Sequence, residues 1–74
     1  MLTRVRDLDE RVNTGAVVEW QSPMGSRYRW ERRTRRAGVE SGPGSGHWLW
    51  LDARPADLRA ARRAVLEHIN LEEL

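Results

Sequence analysis

Ala16 to Gln21 and Arg27 to Arg35 each alternate apolar with charged or polar side chains, and they are separated only by Ser22-Pro23-Met24-Gly25-Ser26. This link constrains the fold more than any other feature, because a one-residue slip between paired strands moves every side chain to the opposite face. Pro23 presets φ for a type I turn and Gly25 suits the left-handed position of the bulge that follows, which together specify a three-residue hairpin loop. The resulting register pairs Gln21 with Arg27, Trp20 with Tyr28, Glu19 with Arg29 and Val18 with Trp30. Val18, Trp20, Tyr28 and Trp30 then share one face. Glu19, Arg27, Arg29, Glu31, Arg33 and Arg35 share the other.

The remaining segments arrange themselves around this hairpin. Asp7-Leu8-Asp9-Glu10 has the spacing of a capping box and Asn13-Thr14-Gly15 that of a stop, predicting a short N-terminal helix with Val5, Leu8 and Val12 on its buried side. Residues 37 to 46 hold four glycines, one proline and two serines, a composition that predicts a flexible loop. Gly42-Pro43-Gly44-Ser45-Gly46 lacks the lysine and spacing of a phosphate loop and reads as a spacer. His47-Trp48-Leu49-Trp50-Leu51 predicts a third strand, apolar on both faces. Pro55 then opens a C-terminal helix whose stripe of Leu58, Ala61, Val65 and Ile69 packs on the sheet, while Glu72 and Glu73 crowd its negative end. The expected fold is α+β: a three-stranded antiparallel meander with a short N-terminal helix and one C-terminal helix across the sheet, in a single domain spanning residues 1–74.

Charge is unevenly distributed. All thirteen basic residues are arginine. Residues 27 to 36 carry six of them against Glu31, a local charge of +5, whereas the rest of the chain sets seven arginines against ten acids. Guanidinium groups bind phosphate bidentately, and strand arginines spaced by two project in one direction about 6 to 7 Å apart, near the phosphate repeat of nucleic acid. Arg27, Arg29, Arg33 and Arg35 are therefore the candidate nucleic-acid contacts. The same face is also explained by ordinary solvation and cross-strand neutralisation through Glu19 and Glu31. Arg32 and Arg36 fall on the opposite face by parity.

Trp48 and Trp50 need a cover that a single helix cannot supply to both faces of their strand. A second copy of the chain is one such cover, so these residues are candidates for a homodimer interface. Trp20, Tyr28 and Trp30 read as core rather than as a base-stacking platform, because parity puts them under the helix. Neither His47 nor His68 has companions at metal-ligand spacing, and no serine has a base partner, so neither a cofactor, a metal site nor an enzymatic activity is expected. The chain has no cysteine, no apolar run long enough for a membrane span and no signal layout at its N-terminus, which favours a cytoplasmic protein without a membrane partner.

The arrangement DLDERVNTGAVVEW, RYRWERR and HWLWL, over roughly residues 5 to 51, resembles small accessory proteins of actinobacteria and their phages. It departs from them in its arginine density and in its C-terminal helix. The resemblance implies no activity of its own, but it implies action on a host macromolecule. Two functions follow: a non-enzymatic module that contacts nucleic acid through the arginine-rich ribbon, or a protein-interaction module, an inhibitor or adaptor docking on an acidic host protein through the same arginines or through Trp48 and Trp50.

Overall fold

The computed structural model describes residues 2–42 and 44–72; Pro43 and Glu73, named above in the spacer and at the helix end, lie outside them. The fold is α+β. A five-stranded antiparallel sheet runs in sequence order, β1 (Asp9–Asn13), β2 (Val17–Gln21), β3 (Arg27–Glu31), β4 (Arg36–Glu40) and β5 (Trp48–Trp50), and α1 (Leu58–Glu72) follows it.

The central hairpin has the register expected from its turn, with Gln21 opposite Arg27, Trp20 opposite Tyr28, Glu19 opposite Arg29 and Val18 opposite Trp30. Ser22 N–H donates to the Ser26 carbonyl at 2.8 Å and Gly25 N–H to the Ser22 carbonyl at 2.9 Å. Gly25 takes φ of +93°, a region open to glycine at no steric cost.

Alternation then sorts the sheet into two faces. Val18, Trp20, Tyr28, Trp30 and Ala37 meet Ala61, Val65 and Ile69 of α1 in a fully buried core, with Leu8, Val39, Leu51 and Leu58 packed at its margin. A chain without phenylalanine builds this core from tryptophan and tyrosine, whose polar atoms each need a partner once buried. Trp30 Nε1 donates to the Pro55 carbonyl at 3.0 Å, Trp20 Nε1 donates to Glu10 Oε1 at 3.0 Å, and Tyr28 OH lies 2.9 Å from His68 Nδ1. The aromatics thus tie β3 to the residues before the helix, β2 to the edge strand β1, and β3 to α1, respectively.

Four expectations are corrected. The N-terminal helix is absent: only Val5–Asp7 form a single 3-10 turn, and the residues assigned to the helix beyond it form β1, paired with β2 across a bulge between Glu10 and Val12. Asp7 caps that turn by accepting from Arg4 N–H at 2.9 Å; Val5 is exposed rather than buried. The loop expected over residues 37 to 46 contains a strand, because Ala37 and Val39 face the core opposite Trp30 and Tyr28 and repay the ordering of Gly38 between them. The strand expected to run from Arg27 to Arg35 ends at Glu31, and residues 32 to 35 turn into β4. Pro55 precedes the helix by three residues, and Asp57 is the cap, its Oδ1 accepting from Ala60 N–H at 2.8 Å.

Candidate functional site

One helix covers one face of the sheet, and the side chains of the other face are left to each other and to solvent. Along the strands this open face carries Val17, Glu19 and Gln21, then Arg27, Arg29 and Glu31, then Arg36, Gly38 and Glu40, then Trp48 and Trp50. Gly38 sits between Arg29 on β3 and Trp50 on β5. It leaves a gap over the sheet backbone, and the Trp50 indole fills it: a Cβ on Gly38 would stand 2.8 Å from Trp50 Cε3.

The two tryptophans lie side by side, their ring centroids 6.4 Å apart and their planes 26° from parallel. Each has a guanidinium over its ring, Arg29 at 5.6 Å from the Trp48 centroid and Arg36 at 4.1 Å from the Trp50 centroid. Cation–π contacts of this kind contribute about 0.5 to 2 kcal/mol and hold long side chains in place. Arg29 Nε lies 3.8 Å from Glu19 and 3.5 Å from Glu31, and Arg36 Nη2 lies 3.3 Å from Glu31. Trp50 remains about a third exposed, at 37 %.

Charge on this face is balanced at its centre. Glu19, Glu31 and Glu40 offset Arg27, Arg29 and Arg36, and Arg27 Nε stands 3.5 Å from Glu19. Glu40 also holds the loop to β5, accepting from the amides of Gly44 and Gly46 at 3.0 and 3.2 Å. The glycine-rich segment therefore presents those two amides to an internal carboxylate.

The surplus of positive charge sits at one end, on the β3–β4 turn. Arg33 and Arg35 are exposed there and form no ion pair among the described residues. Arg54 joins them by donating to the Thr34 carbonyl at 3.1 Å, and Arg32 spans back to the Gly15 carbonyl at 2.7 Å while its guanidinium lies over the Trp30 ring, 4.9 Å from the centroid. Thr34 Oγ1 donates to Glu31 Oε1 at 3.0 Å, which closes the turn.

Of the predicted contacts, Arg27 and Arg29 are on the open face, with Arg29 half-buried against Trp48. Arg33 and Arg35 leave it, because the chain turns after Glu31 and Arg35 adopts φ of +57°. Trp48 and Trp50 are on the face opposite the helix. Arg36, placed by parity on the core side, is on the open face with them, because the turn resets the alternation. Arg36, Gly38 and Arg54 were missed. The alternation of Arg36-Ala37-Gly38-Val39-Glu40 was the available signal for the first two; for Arg54 there was none.

No family model matches this chain, and neither a curated protein nor a solved structure matches it.

Proposed function

We propose that this protein is a small binding module for single-stranded nucleic acid, which it takes on the open face of the sheet. The observation that carries this reading is the pair of neighbouring indoles on an uncovered face, each with a guanidinium over its ring, beside a turn whose Arg33 and Arg35 form no ion pair among the described residues. Nonspecific single-strand binding combines these two elements: flat π surfaces on which bases stack, at about 1 to 3 kcal/mol per base, and cations that follow the backbone. Trp48, Trp50 and the guanidinium planes of Arg29 and Arg36 supply the first. Arg33, Arg35 and Arg54 supply the second. Arg27, at the far side of the face, offers a further phosphate contact once it releases Glu19. On this reading the arginines predicted from the ribbon divide into two roles.

Tryptophan fluorescence tests the proposal directly, since Trp20 and Trp30 are buried and quenching by a bound base reports on Trp48 and Trp50. Oligo(dT) or oligo(U) should quench emission at low salt, and the salt dependence should weaken by about 0.7 in log–log slope for each turn arginine replaced by alanine. Trp50→Ala should weaken binding by about 1 to 3 kcal/mol while leaving the slope intact. Absence of quenching by either polymer at low salt would overturn the reading. The neutral centre of the face favours the second reading, docking of a host protein on the tryptophans, for which binding would be nearly independent of salt.

A further inference from the structure

The outer surface of α1 has a charge layout that the proposed nucleic-acid face does not use. Its first half carries Arg59 and Arg63 and its second half Glu67, all exposed, and none of the three forms an ion pair among the described residues. Arg63 and Glu67 are one helical turn apart, but with the cation N-terminal to the anion, the weaker of the two orientations for an intrahelical pair. Both charges are left available.

Apolar surface accompanies them. Asn70 grips the N-terminal segment from both sides, its Oδ1 accepting from Thr3 N–H at 2.8 Å and its Nδ2 donating to the Thr3 carbonyl at 3.2 Å. This lays residues 2 to 5 along the helix and forms a groove of about 950 Å³ beside Leu66 and Leu71. Leu2, Val5 and Leu71 are 64 %, 52 % and 81 % exposed. Exposed leucines gathered on one surface of a small domain mark an interaction site.

We propose that this surface is a two-fold interface with a second copy of the chain, α1 packing antiparallel on α1. A helix basic at one end and acidic at the other is complementary to itself only when reversed, and reversal also opposes the two helix dipoles favourably. With the two-fold axis between Arg63 and Glu67, Arg63 of each copy meets Glu67 of the other, so the contact forms twice. Arg59 then lies against the turn bearing Leu71 of the second copy, and the groove leucines close over one another beside the charged pairs. The sheet faces bearing Trp48 and Trp50 point away from this axis and stay open, so the dimer displays two binding faces.

Charge reversal tests both the partner and its orientation. Sedimentation velocity should show the wild-type chain as a dimer at tens of micromolar. Arg63→Glu alone and Glu67→Arg alone should each be monomeric, since each places like charges together twice. An equimolar mixture of the two variants should restore the dimer, because glutamate at 63 then faces arginine at 67 and the native pair forms once. Both positions are exposed, and circular dichroism identical to wild type confirms that each variant is folded. A wild-type monomer at these concentrations, single variants that remain dimeric, or a mixture that stays monomeric would each overturn the proposal. Loss of the dimer in Trp50→Ala with Arg63→Glu unaffected would overturn it in favour of pairing through the tryptophan face.

Discussion

Gly38 shows how much of the candidate site depends on a missing side chain. Its backbone is not in the left-handed region, so glycine is required there for space and not for conformation. Added at this position, a Cβ would meet the Trp50 ring at 2.8 Å and the Leu49 carbonyl oxygen at 2.9 Å. The carbonyl belongs to the neighbouring strand and cannot swing aside as a side-chain end does. Gly38→Ala should therefore cost about 1 to 3 kcal/mol in urea denaturation and shift Trp50 emission to the red as the indole lifts off the sheet. Unchanged stability together with unchanged emission would mean that the indole does not rest on this strand. From the sequence Gly38 was legible only as one of four loop glycines, because the close approach that needs it is made by a residue twelve positions away. Arg33 and Arg35 were misplaced for a related reason: parity is a sound guide only while the strand continues, and nothing in Arg32-Arg33-Thr34-Arg35 announces a turn by glycine or proline.

At the level of elements, the β2–β3 hairpin was fully legible because its turn chemistry and its hydrophobic pattern agree on one register. β1 and β4 were not. Asp9 to Asn13 is charged on both sides and carries a capping pattern, and it becomes a strand only because the edge of β2 offers it backbone partners. Arg36 to Glu40 has only two inward side chains, Ala37 and Val39, and its ladder lies between β3 and β5. In both cases tertiary pairing outweighs local composition, as it commonly does for strands. α1 was legible in its apolar stripe but not in its start, where Asp57 and not Pro55 supplies the cap. The hairpin argument has its own test. Around Gly25 there is nothing within 4 Å of an added Cβ, so Gly25→Val carries backbone strain alone. It should destabilise by about 1 to 2 kcal/mol, with Ser26→Ala near neutral by comparison. Equal melting temperatures for Gly25→Val and wild type would remove the argument for the register.

Across the whole molecule, Glu10 joins parts of the chain that the sheet ladder alone does not hold together. From edge strand β1 its Oε1 accepts from Trp20 Nε1 of β2 and from Arg62 Nη2 of α1, both at 3.0 Å, and its Oε2 accepts from Asn13 Nδ2 at 3.1 Å. Partial burial acts to raise its pKa, but the hydrogen bonds from Arg62, Asn13 and Trp20 and the charge of Arg62 outweigh it, holding the carboxyl below its ordinary value of 4.5. A carboxyl whose pKa is lower in the folded than in the unfolded chain contributes its full stabilisation above the unfolded value. The contribution shrinks as pH falls from there through the lower folded value, where the native state too takes up the proton, and it is gone below both. Glu10→Gln keeps the side-chain shape and one acceptor but removes the titration. Urea denaturation between pH 7 and pH 3 should therefore find the variant less stable than wild type at neutral pH, with the gap narrowing as the solution passes below the ordinary glutamate range. A gap that stays constant across this interval would show that Glu10 holds β1 to α1 by shape and neutral hydrogen bonding, with no contribution from its charge.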